Sequence, residues 1–316
     1  MEGPLVAAAD EPRVRRPVFG YAMVLAAAIL FGINGSVAKV ALSSGLSPLR
    51  LSEARCAGAC VGLMLAALAY APSSLRVRDR PDLARLAVFG VVGVALVQLF
   101  YFLAIQRLAI GIALLIQYLA PLLVAIWART VGHEHVRRRI WVALAFSLSG
   151  LALMVELWNG LALDGLGVTY ALIAAVIFAA YLLLAEREVV HRDSVSLMAW
   201  GFLFATIFWT VAQPWWSFPA ARVGETVSLH GHLASWHLPV WALVLWVIVL
   251  GSIIPFSLIV AGLGHVSATR VGIAAMLEPV VATVVAWAWL RQSLSPVQLG
   301  GAAIVLAGVV LAQTAR

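Results

Sequence analysis

The stretch ATRVGIAAMLEPVVATVVAWAWL, residues 268–290, decides how this chain is read. It is an apolar run with one acid, Glu278, followed at once by Pro279. At about 1.5 Å of rise per residue, a helix beginning at Ala268 carries this carboxylate roughly 15 Å inward, near the middle of a bilayer. An ionisable group at that depth costs at least about 2.5 kcal/mol unless it is paired, protonated or wetted. Glu278 therefore points to a cavity, a partner or a proton.

Outward from this stretch the rest of the chain has the same character. Of 316 residues, 63% are apolar and 11% are charged, and the mean hydropathy is +1.01. Soluble domains carry about a quarter charged residues. The apolar runs are long and continuous rather than alternating, which excludes a transmembrane β-barrel and leaves helices. Hydropathy predicts ten spans, at 18–42, 48–70, 83–106, 109–130, 139–156, 165–185, 194–218, 238–262, 268–290 and 296–313. Pro, Gly and charged residues punctuate the breaks, for example Ser43-Ser44-Gly45, Asn159-Gly160 and the stretch from His191 to Asp193.

The net charge of +7 follows membrane topology. With the N-terminus inside, Arg13, Arg15, Arg16, Arg76, Arg78, Arg80, Arg85, Arg129, Arg137, Arg138, Arg139, Arg187, Arg192, Arg270 and Arg316 fall on the inner side. Only Arg50, Arg107, Arg222 and Arg291 fall outside, while Lys39 and Arg55 lie within spans. This asymmetry predicts a multi-pass protein of the cell membrane with both termini cytoplasmic and its basic face toward anionic lipid. No basic stripe interleaved with aromatics is present, so no nucleic-acid partner is expected. The charged leader of residues 1–17 reads as a cytoplasmic tail, and the first helix as its own insertion signal. Cys56 and Cys60 share one helical face and read as small packing residues rather than a disulfide.

The chain repeats itself. Shifted by 158 residues, Pro121 meets Pro279, Ala128 meets Ala286, Ala145 meets Ala303 and Gly150 meets Gly308. Two units follow, 18–157 and 165–313, each of five helices. Five is odd, so the second unit enters the membrane upside down relative to the first. The expected fold is thus an all-α membrane protein with ten transmembrane helices as two inverted five-helix repeats. In transporters of that design the ligand site lies at the repeat interface near the midplane.

Particular stretches resemble a known family. They are Phe31-Gly32-Ile33-Asn34 with Lys39, the run from Leu99 to Gln106, Gly111-Ile112-Ala113 and Tyr118-Leu119-Ala120-Pro121 in the first half. In the second half they are Ile254-Pro255-Phe256-Ser257, Ser267-Ala268-Thr269-Arg270 and Met276-Leu277-Glu278-Pro279-Val280. They are similar to the ten-helix, EamA-like branch of the drug/metabolite transporter superfamily, and nearer to its bacterial exporters of amino acids and metabolites. The resemblance runs from Val18 to Ala312. It implies a central cavity lined by the first, third, fourth, sixth, eighth and ninth helices. The chain departs from the family pattern at Gln292, where a Glu is common, and around His133-Glu134, where the acid is displaced.

On those helices the substrate-binding candidates are Asn34, Gln98, Tyr101, Gln117, Tyr118, Tyr181, Ser257 and Glu278. Amides, phenols and hydroxyls can hold a zwitterion without the desolvation cost of fixed charges. Pro121, Pro255 and Pro279 are candidate hinges, and the first and last free the carbonyls of Gln117 and Ala275 one turn earlier. Lys39 and Arg270 are candidates for charge roles. Each polar group also has a plainer reading. A Gln or Ser can simply bond a neighbouring helix, Tyr170 and the tryptophans can form an interface belt, and Lys39 can snorkel. Glu53 and Arg55 read as local charge balance near the outer boundary, and Gly58 with Gly62 as a close-packing pair with dimerisation as its minor use.

The expected function is export of a small metabolite, an amino acid or related zwitterion, by secondary-active or facilitated alternating access, with proton coupling through Glu278 as an option. Drug or other metabolite efflux is the alternative; an intramembrane enzyme or a channel ranks below it. No catalytic residues, metal or cofactor are expected. There is no phosphate-binding GxxxxGK[ST] loop. The histidines lie in loops, and His133-Glu134-His135 has the wrong spacing for a zinc helix. The state expected is a monomer or weak homodimer.

Overall fold

The computed structural model describes residues 16–108, 110–156, 164–291, 293 and 295–314. Arg13, Arg15, Asn159, Gly160, Gln292 and Arg316 lie outside the described residues. The helices are α1 (Pro17–Leu42), α2 (Pro48–Tyr70), α3 (Arg80–Ile105), α4 in two pieces (Ile110–Gln117 and Ala120–Thr130) and α5 (Arg138–Met154). They continue as α6 (Gly165–Glu188), α7 (Ser194–Ala212), α8 (Val240–Leu263), α9 in two pieces (Ala268–Ala275 and Leu277–Leu290) and α10 (Pro296–Thr314). Among the described residues nine are long and apolar enough to span a membrane. The tenth, α5, has 17 residues and is apolar from Ile140 onward.

Local chemistry sets several of the ends. Ser47, Asp164 and Asp193 cap α2, α6 and α7 by accepting from the N–H of Arg50, Gly167 and Ser196. The seventh span is shorter than its hydropathy predicts. The helix stops at Ala212 because Pro214 follows, and Gln213 takes an extended backbone instead. The connection to α8 also contains an antiparallel ribbon, β1 (Thr226–Ser228) with β2 (His237–Pro239), where hydropathy gives only a loop.

The contacts sort the connections onto two faces. Arg16 N approaches His265 Nδ1 at 3.4 Å, and the Tyr21 hydroxyl donates to the Ala312 carbonyl at 3.2 Å. The start of α1, the α8–α9 turn and the end of α10 therefore share one face. On the other face Arg222 donates to the Ser44 carbonyl at 2.8 Å, Arg107 pairs with Asp164, and the Ser295 hydroxyl bonds Glu156. An even number of crossings produces this sorting.

The repeat is visible in how the helices touch. The α5–α10 seam is built on small residues. A Cβ at Gly150 would lie 2.7 Å from the Gly301 carbonyl, and one at Gly308 would lie 2.8 Å from the Ala143 carbonyl. The 158-residue shift carries Gly150 onto Gly308 and Ala143 onto Gly301, so the two contacts are symmetry mates. Elsewhere the helices that meet correspond, although the residues on one side do not. In α3, Gly90 is pressed against Gly201 of α7; its counterpart in α8, Ile248, is pressed against Gly58 of α2. The Gly58 and Gly62 face is therefore filled by Ile248 and Ile253 of the same chain. Lipid tails are as apolar as leucine, so close backbone approach rather than burial from water holds such seams.

Two features recur at equivalent places. Both third helices widen into a π-helical turn, at Phe89–Leu96 in α3 and Val249–Ile253 in α8. Each contains one of the pair Gly93 and Gly251, which lie 158 residues apart. Both fourth helices are interrupted just before a proline, at Tyr118-Leu119 and at Met276. Pro121 and Pro279 lack an N–H and cannot close the turn.

Candidate functional site

The two helix breaks meet. The Tyr118 hydroxyl lies 2.8 Å from Glu278 Oε2 and 3.2 Å from the Ala275 carbonyl. That carbonyl is the one Pro279 leaves without an intrahelical donor. Glu278 is thus held by the opposite repeat, at the depth where its charge is hardest to solvate.

Around this junction stands a wall of rings. Tyr118 meets Phe178 edge-on at 6.3 Å, and Phe178 stacks on Tyr181 at 6.1 Å. Tyr181 also stacks on Phe89 at 5.6 Å and meets Phe256 at 6.2 Å, while Phe256 meets Phe31 at 5.1 Å and Phe202 at 5.6 Å. These rings come from α1, α3, α4, α6, α7 and α8, so the wall is shared by both repeats. The helix crossings that create it need small residues. Gly93 lets Tyr181 in, since a Cβ there would meet its ring at 2.9 Å, and Gly251 does the same for Asn34.

Several buried polar atoms have no partner. Among the described residues Asn34 Oδ1, both amide atoms of Gln98, Gln117 Oε1, the Tyr181 hydroxyl and the Ser257 hydroxyl are buried and make no hydrogen bond. Leaving one such group unsatisfied costs about 1–3 kcal/mol. Native proteins leave few such groups, and those of Asn34, Gln98, Gln117, Tyr181 and Ser257 come from both repeats. Arg55, Tyr101 and Glu278 are half-buried.

The structure separates the remaining candidates. Ser252 satisfies itself locally by donating to the Val247 carbonyl at 2.8 Å, across the π turn. Pro255 is buried directly after that turn, whereas the matching turn in α3 has Val97 in its place. The widening is therefore not caused by proline alone. Pro121 packs on Gly272 of α9, whose Cβ would lie 2.7 Å from the ring. Lys39 is exposed near the end of α1. Arg270 interacts with the Tyr21 hydroxyl at the N-terminal face, away from the rings. The loop histidines form no metal-binding group among the described residues; His230 Nε2 instead meets the Ser43 hydroxyl at 3.1 Å. Glu53 is fully buried and pairs with Arg50 at 2.6 Å, so it is not a surface charge.

Arg55 is the residue that sequence reading leaves at the boundary and the fold brings inside. Its guanidinium carbon sits 6.0 Å from the centroid of the Phe256 ring. It is also within electrostatic reach of Glu278. A signal for this was available, because Arg55 lies seven residues into α2, about 10 Å from its start at 1.5 Å per residue. The aromatic wall left no such signal, since phenylalanines are common in any membrane span.

A separate polar cluster closes the N-terminal face. Arg192 pairs with Asp82 at 2.8 Å and donates to the carbonyls of Ser74 and Arg76 at 2.6 and 3.0 Å, while Arg85 reaches Asp82 and Glu188. The cleft of about 200 Å³ beside it is lined by Ser73, Ser74, Arg76, Arg78, His191, Arg192 and Asp193, and shares no residue with the ring-lined region.

Two inverted repeats, each with a broken fourth helix, joined where the breaks meet: this is the architecture of a membrane transporter. The profile of the EamA-like transporter family matches residues 18–156 and 165–314, and the chain belongs to that family. An uncharacterized transporter of Archaeoglobus fulgidus is 28% identical over 78% of this chain and 82% of its own length. The uncharacterized inner membrane transporter YicL of Salmonella typhimurium is 22% identical over 92% of this chain and 94% of its own. The threonine/homoserine exporter RhtA of Escherichia coli K12 is 27% identical over 63% of this chain and 61% of its own. A solved structure described as "Crystal structure of protein" matches at a TM-score of 0.74, covering 94% of this chain and 97% of that one, at 18% identity; this likeness concerns the fold alone.

Proposed function

We propose that this transporter exports a small metabolite, an amino acid or related zwitterion, by alternating access across the cell membrane, with both termini in the cytoplasm. The observation that carries the reading is the Tyr118–Glu278 bond between the two helix breaks, in a fold that leaves buried polar atoms of both repeats without a partner. Rocking one bundle against the other would make and break that junction, and would open the polar space to one side at a time. Asn34, Gln98, Tyr101, Gln117, Tyr181 and Ser257 would bind the substrate, and the breaks at Pro121 and Pro279, with the π turn before Pro255, would act as hinges. Glu278 would couple transport to a proton. A relative named as a threonine/homoserine exporter supports this substrate class, and the excess of arginine on the N-terminal face supports the orientation. The proposed state is a monomer or weak homodimer.

The aromatic wall gives one support to the alternative, efflux of drug-like molecules, because flat cations also stack on rings. Counterflow in proteoliposomes separates the two. The expected result is saturable counterflow of labelled threonine that an ethidium-type cation does not suppress. Suppression by the cation without threonine counterflow would favour the drug reading. Glu278→Gln is expected to abolish exchange driven by a pH gradient, and unchanged exchange in that variant removes the proton role.

A further inference from the structure

We propose that Arg55 is the anion receptor of the site, binding the substrate carboxylate while Glu278 takes the ammonium, so that the substrate class is free α-amino acids. This rests on the transport reading above and adds a residue and a polarity to it.

The chain pairs its other sheltered cations with acids. Arg192 has Asp82 and two carbonyls, and Arg50 has Glu53. Arg55 has an acid only two residues away in sequence, yet Glu53 is turned to Arg50 at 2.6 Å. Among the described residues the Arg55 guanidinium makes no hydrogen bond and no ion pair, and its Nε is buried without a partner. Its neighbours are the face of Phe256 and, farther off, the charge of Glu278. A guanidinium offers five N–H donors in a planar fork that matches a carboxylate. Here that fork lies over a ring and, among the described residues, has nothing to hold.

Glu278 stands on the other side of the relationship. One carboxylate oxygen takes the Tyr118 hydroxyl, and no ion pair joins the residue to Arg55. Two opposite charges that feel each other without touching, one over the Phe256 ring and the other bonded to Tyr118, define a polarised slot. A ligand with a carboxylate and an ammonium satisfies both charges and leaves the slot neutral. An amine alone meets the positive Arg55 uncompensated, and an ester loses the group that Arg55 would hold. The 158-residue shift places Ala120 opposite Glu278 in the other repeat, so the acid is not duplicated and the polarity has a single direction.

The test is counterflow in proteoliposomes with labelled threonine as probe, and threonine methyl ester and 1-amino-2-propanol as competitors. In the unaltered protein the ester and the amine are expected to compete at least about tenfold more weakly than threonine, as loss of one charge-assisted contact implies. In Arg55→Gln the half-saturation for threonine should rise about tenfold or more, while competition by the ester is unchanged, so the preference collapses; Arg55→Lys should fall between. Equal competition by threonine and its ester in the unaltered protein overturns the proposal, and this arm needs no variant to fold. Preserved preference in a well-folded Arg55→Gln also overturns it and leaves the transport reading standing. No counterflow of any amino acid by the unaltered protein overturns both.

Discussion

The hydroxyl of Tyr118 stands 2.8 Å from a carboxylate oxygen of Glu278, and through this contact the break in α4 is fastened to the break in α9. The two residues are 160 positions apart and belong to opposite repeats. Tyr118 is buried, and its hydroxyl has no other purpose in that packing than to serve Glu278 and the Ala275 carbonyl. Tyr118→Phe keeps the ring against Phe178 and removes only the oxygen. The lost bond is worth about 1–3 kcal/mol when it leaves a buried acceptor unsatisfied. The expected outcome is a fall of about tenfold in maximal counterflow rate with the melting temperature lowered by a few degrees, measured on purified protein in liposomes and detergent. An unaltered rate would mean that the junction does not move during transport.

The α5–α10 seam offers a paired test on adjacent glycines. A Cβ at Gly301 would lie 2.7 Å from the Gly150 carbonyl and 2.8 Å from the Met154 nitrogen, whereas one at Gly300 meets nothing within 4 Å. Gly301→Ala should destabilise by about 1–3 kcal/mol through overpacking. Gly300→Ala should be neutral or stabilising by up to about 1 kcal/mol, because alanine favours an exposed helix position. Thermal unfolding in detergent reads both, and equal effects would show that the helices do not approach as described.

At the N-terminal face Arg192 and Asp82 are 7% and 5% exposed, so neither charge has water to fall back on. Arg192→Met leaves Asp82 with the exposed Arg85 and the Arg78 N–H and should destabilise by about 3–5 kcal/mol, the usual cost of breaking a buried pair on one side. Adding Asp82→Asn should recover part of that loss. A double-mutant cycle on thermal stability measures the coupling, which should be well above that of an exposed pair.

Asp164 supplies a pH test outside the membrane. The N–H of Gly167, bonded at 2.7 Å, and the neighbouring Arg107 hold its carboxyl below the ordinary carboxylate range. A carboxyl held low in the folded state contributes stability that is complete above its ordinary range and is lost as the pH falls through the native value. Asp164→Ala should therefore lower the melting temperature at neutral pH, and the difference from the unaltered protein should shrink as the pH is taken below about 4. A difference independent of pH would show that the cap acts without its charge.

Much of this architecture was legible in the residues taken one at a time. Transfer from water to lipid is an additive, local quantity, so hydropathy marks the spans, and the runs around Leu99 and Val280 announce helices wherever they end up. The prolines at 121 and 279 announce the breaks because a missing N–H is a property of the residue. The odd number of helices per repeat, with the 158-residue shift, dictates inversion by counting. Glu278 stood out because a carboxylate in the middle of an apolar run is costly in any fold.

What the tertiary structure decided was who meets whom. That Tyr118 and Ala275 come to the acid, that Glu53 turns to Arg50 and leaves Arg55 open, that Ser252 is satisfied by its own helix while Ser257 is not, and that the third helices widen at Gly93 and Gly251, were not carried by any single stretch. The reason is the solvent. Side chains facing lipid and side chains facing another helix are equally apolar, so hydropathy carries no record of which surface a span presents to its neighbour. That choice is made by shape, by where a glycine lets one backbone approach another, and shape becomes readable only when both helices are in place.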